Sequence, residues 1–168
     1  TASIANSYVL YILALSDNKI LIGTLNNGLL IYDKDTVKTV QNQGELTGKS
    51  IFCIYEDHEG NIWVGTDQGA RQYDPLTNTL LSCPASIEGK IIYSITETAE
   101  GNLVFASDNK VYLDKDGIWS NIIPDDLNGS TSFYAAYFDS EGNGWLGSSD
   151  QGLFKKTGSS WFNYYNST

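Results

Sequence analysis

Methionine is absent from this 168-residue chain, histidine occurs once, as His58, and there are only two cysteines, Cys53 and Cys83, and three prolines. One imidazole and two thiols cannot assemble an ordinary zinc site. Two cysteines make no disulfide framework, although a single Cys53–Cys83 bond stays open. With His58 sitting in a turn, and no serine or cysteine in a recognisable nucleophile motif, nothing points to nucleophilic catalysis. Cations are scarce as well: ten Lys and Arg stand against twenty Asp and Glu, for a formal charge of −10. Such a chain repels phosphate backbones and anionic membranes, which argues against nucleic acid as a partner. No stretch approaches the ~20 apolar residues of a membrane span. The start, Thr1-Ala2-Ser3-Ile4, lacks the charged and apolar regions of a secretory signal. No window keeps helical periodicity for more than a turn or two, and no motif implies a cofactor. The chain reads as soluble and as a trimmed piece of something longer.

What is present is aromatic and glycine-rich: eleven Tyr, six Phe, four Trp and sixteen Gly, a composition suited to short strands and tight turns. It is also periodic. Glu59-Gly60-Asn61, Glu100-Gly101-Asn102 and Glu141-Gly142-Asn143 recur at intervals of 41, with Ser16-Asp17-Asn18 as a degenerate first copy. An apolar strand follows each turn: Ile20-Leu21-Ile22-Gly23, Ile62-Trp63-Val64-Gly65, Leu103-Val104-Phe105-Ala106 and Gly144-Trp145-Leu146-Gly147. A strand also precedes each one, at Val9 to Leu15, Ile51 to Tyr55, Ile92 to Thr96 and Phe133 to Phe138. Third strands such as Leu29 to Tyr32 come after a second turn. Fourth strands are placed near Lys38 to Val40, Thr79 to Leu81, Ile118 to Ile122 and Trp161 to Tyr165.

Four antiparallel strands in about 41 residues is the period of a propeller blade. The expected fold is therefore all-β, a β-propeller fragment of four four-stranded antiparallel blades. It forms one partial propeller over 1–168, with blades at about 8–42, 50–83, 91–124 and 132–165. Nearly continuous apolar strands imply burial on both faces. Trp63 and Trp145, with Leu21 and Val104 at the equivalent positions, are expected to fill the gaps between blades.

The second unit, Ser50-Ile51-Phe52-Cys53-Ile54-Tyr55-Glu56-Asp57 with Gly60-Asn61-Ile62-Trp63-Val64-Gly65-Thr66, Gly69 and Tyr73-Asp74, resembles the two-component regulator propeller repeat. The resemblance extends over the whole chain. It departs in the third unit, where Val104, Ala106 and Lys110 replace Trp, Gly and Gly, and this calls the second turn of that unit into question. The resemblance implies the periplasmic sensor region of an inner-membrane hybrid two-component protein, with a membrane helix, a histidine kinase and a response regulator beyond this piece. It also implies a glycan or oligosaccharide as ligand. Two other readings stay open: a propeller enzyme acting on polysaccharide, and a structural, protein-binding propeller in a cell-surface or secretion assembly.

The acidic turns Asp57-His58-Glu59-Gly60-Asn61 and Asp139-Ser140-Glu141-Gly142-Asn143 faintly resemble calcium loops. They run straight into apolar strands without the further ligands such a loop needs, so they read as hairpin turns and no metal site is expected. By analogy with the fold, ligands meet the rim formed by the second turns. That rim carries Asn26, Asn27, Asp67, Gln68, Asp108, Asn109, Asp150 and Gln151, with Trp119 and Trp161 as candidate stacking partners. Arg71, in a third strand, is expected to form an edge salt bridge. No catalytic residue is assigned. Four blades also leave two terminal faces, each over about 300 Å², and faces of that size should drive self-association, expected as a homodimer.

Overall fold

The computed structural model describes residues 4, 6–40, 49–123 and 131–164. It holds sixteen strands and, among the described residues, no helix, hence none long and apolar enough to cross a membrane. The first blade contains β1 (Val9–Ala14), β2 (Ile20–Thr24), β3 (Leu29–Asp33) and β4 (Thr36–Thr39). The second contains β5 (Ile51–Glu56), β6 (Ile62–Thr66), β7 (Gly69–Asp74) and β8 (Thr79–Leu80). The third contains β9 (Ile92–Glu97), β10 (Leu103–Ser107), β11 (Val111–Lys115) and β12 (Ile118–Asn121). The fourth contains β13 (Phe133–Phe138), β14 (Gly144–Ser148), β15 (Leu153–Thr157) and β16 (Ser160–Asn163). Each blade is a separate four-stranded sheet in chain order, as the repeat predicts. The expected blade limits at residues 42, 124 and 165 lie outside the described residues.

The repeat's first turn is built on the aspartate that precedes it. Asp57 Oδ1 accepts from the amides of Glu59 at 3.1 Å and Asn61 at 2.7 Å, while Oδ2 accepts from Asn61 Nδ2 and, at 3.0 Å, from the Trp63 indole. Gly60 supplies the positive φ of 83° that the turn requires. Asp139 repeats the pattern, accepting from Glu141 N at 3.0 Å and Asn143 N at 2.8 Å. Its carboxyl is held below the ordinary range, chiefly by the Asn143 side chain. These acidic side chains are turn anchors whose lone pairs are spent on the turn itself. Asp57 is only 8% exposed, so Asp57→Ala is expected to cost about 1–3 kcal/mol, read from the urea midpoint. The third unit keeps its second turn without glycine. Ser107 N donates to Lys110 O at 3.0 Å, and Asn109 takes the positive φ, at 48°.

The chain divides into two compact units, Thr1–Ile91 and Ile92–Thr168, each carrying two blades. In the first, Leu21, Leu29 and Ile31 of one blade pack with Ile51, Ile54, Ile62, Val64 and Tyr73 of the other. In the second, Val104, Ala106 and Val111 pack with Phe133, Leu146 and Phe154. Leu21, Val64, Val104, Phe133, Leu146 and Phe154 are fully buried, each contributing about 1.5–3 kcal/mol by burial.

Two expectations are corrected here. Leu21 and Val104 fill the space between the blades of their units, but the equivalent Trp63 and Trp145 belong to neither core cluster and are only half-buried. Their position in the second blade of each unit turns them onto its other face. In the last blade that face carries a cross-strand row of Tyr137, Trp145, Lys155 and Phe162, with the Lys155 ammonium 4.7 Å from the Trp145 ring centroid. Second, apolar strands are not all buried: in β1, Ile12 is 63% exposed and Val9 45%. The Cys53–Cys83 bond left open by the sequence is not formed, with Cys53 buried and Cys83 half-buried.

Candidate functional site

All four first strands carry a β-bulge at the same point of the repeat. The register slips between Val9 and Tyr11, Ile51 and Cys53, Ile92 and Ser94, and Phe133 and Ala135. The extra residues are Leu10, Phe52, Tyr93 and Tyr134. A bulge bends its strand and re-aims the inserted side chain, here at the end of the blade where the second turns lie. Leu10 is 44% exposed and Tyr134 53%.

In the second unit this device assembles a polar and aromatic cluster. The Tyr93 and Tyr134 rings meet edge to face, with centroids 4.6 Å apart at 89°. Tyr93 Oη donates to Asp108 Oδ1 at 3.2 Å, and Ser132 Oγ donates to the same oxygen at 2.8 Å. Thr131 Oγ1, which is buried, donates to Asp150 Oδ1 at 2.7 Å, joined by Ser149 Oγ at 3.0 Å. Two consecutive residues thus hold one carboxylate from each second turn. The backbone ties the same loops together: Asn109 N donates to Thr131 O and Ser149 N to Ser132 O, both at 2.9 Å.

Burial first, and then the Asp108 carboxylate, pushes the Tyr93 phenol up to about 12. Tyr73, buried in the first unit, is likewise pushed up to about 12 by burial. In a spectrophotometric titration these two phenols should stay protonated near pH 11, where an ordinary tyrosine, of pKa about 10, is ionised. Asp108→Asn should lower the Tyr93 value only part of the way, since burial remains. Because the folded pKa exceeds the unfolded one, the associated stability is complete below about pH 10 and is lost as the pH rises through about 12.

The eight rim residues expected from the sequence thus fall into two groups. Asp108, Asn109, Asp150 and Gln151 lie in the two turns that the second unit joins. Asn26, Asn27, Asp67 and Gln68 lie in the first unit and serve its turns. There Asn27 Nδ2 donates to Ser7 Oγ at 2.6 Å, Gln68 N donates to Thr66 Oγ1 at 2.9 Å, and Asp67 Oδ1 is buried without a hydrogen-bond partner. The expected aromatic partners are not at the rim. Trp119 stacks on Phe105 with centroids 5.2 Å apart, and the Trp161 indole donates to Ile122 O at 3.0 Å, both from outermost strands. The aromatic residues that do lie at the rim are Tyr93 and Tyr134. They occupy the same position one period of 41 apart, a coincidence visible in the sequence. Arg71 lies in β7, between β6 and β8. Among the described residues it forms no salt bridge and its buried Nε has no hydrogen-bond partner, and its charge acts on the Cys83 thiol, which burial nevertheless raises. A cleft of about 160 Å³ in the first unit is lined by Lys19, Ile31, Asp33, Lys38, Tyr73 and Asn78. There Lys19 pairs with Asp17, and Tyr73 Oη donates to Asn78 Oδ1 at 3.0 Å.

Comparison with known proteins places this geometry. The two-component regulator propeller model matches residues 45–68. Comparison with curated proteins gives no match. The extracellular domain of a hybrid two-component system from B. thetaiotaomicron is 25% identical, with a TM-score of 0.70, over 86% of this chain and 19% of that one. A second such domain from the same organism is 24% identical, with a TM-score of 0.69, over 86% of this chain and 20% of that one. The chain thus spans about a fifth of the two-component structures it matches. A catalytically inactive virginiamycin B lyase from Staphylococcus aureus, 16% identical over 99% of this chain and 59% of that one, shares the fold alone, with a TM-score of 0.69. Enzymes therefore occur on this fold, whereas the two-component neighbours are extracellular domains. Residues 45–68 thus match the two-component regulator propeller repeat, and the chain is a β-propeller similar to the extracellular domains of two-component systems.

Proposed function

We propose that the chain is the ligand-sensing propeller portion of a periplasmic hybrid two-component sensor, and that its ligand is a glycan or oligosaccharide. The observation that carries this reading is the cluster of Tyr93, Tyr134, Asp108 and Asp150. It combines an exposed aromatic ring with two oriented carboxylates, the pairing that suits a sugar's apolar face and its hydroxyls. Asn109 and Gln151 add side-chain amides at the same rim. On this reading the portion performs no chemistry. Beyond it, an inner-membrane anchor and a histidine kinase convert binding into phosphoryl transfer. The test is calorimetric titration with a panel of oligosaccharides. Saturable binding that Tyr134→Ala weakens about tenfold, in line with the loss of one stacked ring, supports the reading; a panel without any binder overturns it.

The same reading includes self-association. Tyr137 at 61%, Phe162 at 52% and Tyr164 at 59% are exposed on the last blade, as is Ile12 on the first. Apolar surface of this kind is covered in most stable proteins, and a second copy is the proposed cover. Light scattering at high concentration should give the mass of a dimer, and a clean monomer would refute it.

A further inference from the structure

The hydroxyl hydrogens at the second unit's rim are already committed. Ser132 and Tyr93 donate to Asp108 Oδ1, and Thr131 and Ser149 donate to Asp150 Oδ1. A hydroxyl carries a single hydrogen, so none of the four retains one for a ligand. Four backbone donors are spent as well. Asn109 N and Ser149 N serve Thr131 O and Ser132 O, Ser132 N reaches Ser149 Oγ at 3.3 Å, and Gln151 N reaches Ser148 Oγ at 3.0 Å. What these fixed groups still offer is acceptors, beside the Asn109 and Gln151 side-chain amides, which both donate and accept. Asp108 and Asp150 are exposed, and the second oxygen of each, Oδ2, makes no hydrogen bond among the described residues. An ionised carboxylate only accepts. The exposed Tyr134 ring lies beside them, aimed by its bulge. The one cation in these turns is Lys110, which is exposed.

From this we infer that the rim selects a ligand that brings its own hydrogen-bond donors, the adjacent hydroxyls of a neutral sugar, and that it rejects uronate and sulfated glycans. A sulfate or uronate presents acceptors to acceptors and places anion against anion, on a chain whose formal charge is −10. A neutral sugar donates two hydroxyl hydrogens to the two carboxylates while its apolar face lies on Tyr134. This inference rests on the glycan reading above and sharpens it.

The experiment uses immobilised neutral, galacturonate, sulfated-galactan and glucosamine hexasaccharides at one ionic strength. Three variants accompany the wild type: Asp108→Asn, Asp150→Asn and Lys110→Ala. The Asn variants keep an acceptor oxygen for the Ser132 and Thr131 hydroxyls, so unchanged melting temperatures serve as the control for folding. The wild type is expected to bind a neutral sugar, with or without the glucosamine oligomer, and neither acidic one. Each Asn variant should bind the neutral sugar about tenfold to a hundredfold more weakly, as expected for the loss of a hydrogen bond to a charged group. Lys110→Ala should leave that affinity within about twofold. Tighter binding of the galacturonate or the sulfated sugar than of any neutral one would overturn the inference while leaving the glycan reading intact. Binding of the glucosamine oligomer alone would overturn it in favour of a cation site. Binding of no sugar would overturn both.

Discussion

Phe133→Ala is expected to destabilise the second unit by about 3–5 kcal/mol, the range for removing a fully buried phenylalanine from a packed core. Phe133 has no exposed surface and meets Phe154 edge to face, with centroids 5.8 Å apart at 66°. It sits with Val104, Leu146 and Phe154 in the cluster that joins the unit's two blades. The cost combines lost transfer free energy with the cavity left behind, since strands pinned on both sides cannot close over it. One residue further on, Tyr134 is 53% exposed, so Tyr134→Ala should change stability by less than about 1 kcal/mol. Urea denaturation of the two variants separates the packing side of β13 from its recognition side. Because Phe133 follows Ser132 and precedes Tyr134, its loss should also loosen the rim and weaken ligand binding.

Gly69→Ala carries the second large effect, argued from space and backbone together. Gly69 has a φ of +105°, and a Cβ built there would lie 2.4 Å from Cys83 Sγ and 2.8 Å from the Ile87 carbonyl oxygen. The carbonyl belongs to a segment that cannot retreat freely: Gly69 N donates to Lys90 O at 2.6 Å, Gly89 N donates to Gln68 O at 3.4 Å, and Ile87 is fully buried. The backbone penalty of about 1–2 kcal/mol and an overpacking penalty of about 1–3 kcal/mol should therefore both apply. Gly60 is the control, since it has a φ of +83° and nothing within 4 Å of its Cβ position. Gly60→Ala should show the backbone penalty alone. Adding Cys83→Ala to Gly69→Ala should recover part of the loss, because the carbonyl contact persists.

Much of this fold was legible in the sequence because the repeat is spelled out by turns. Glu-Gly-Asn at 59, 100 and 141 located the first hairpin of three blades, and the apolar runs around it gave strands that agree with the structure to within about two residues. What period alone does not reveal is which face of a blade a residue occupies and what covers that face. Trp63 and Leu21 are equivalent by sequence. Leu21 is in a core cluster and Trp63 is not, because one belongs to the first blade of its unit and the other to the second. The apolar run of β1 reads like that of β5, yet β1 is exposed and β5 is largely buried.

The site shows the same division. Asp108 and Asp150 were legible as residues of exposed turns, but the hydroxyls that orient them are not. Thr131 and Ser132 are nineteen or more residues away from the carboxylates they hold, across a strand pairing. The tyrosines were missed because a bulge adds one residue to one strand without leaving a glycine to mark it. Their recurrence at 93 and 134 was the available signal. Trp119 and Trp161, expected as stacking partners, instead pack against Phe105 and Ile122.

The most direct test of the account is amide-resolved NMR of the protein with a bound neutral oligosaccharide. The account predicts that the largest shift changes fall on Tyr93, on residues 107–110, on 131–134 and on 148–151. Changes centred instead on the outer strands or on the Lys19–Tyr73 cleft, with these residues silent, would contradict it.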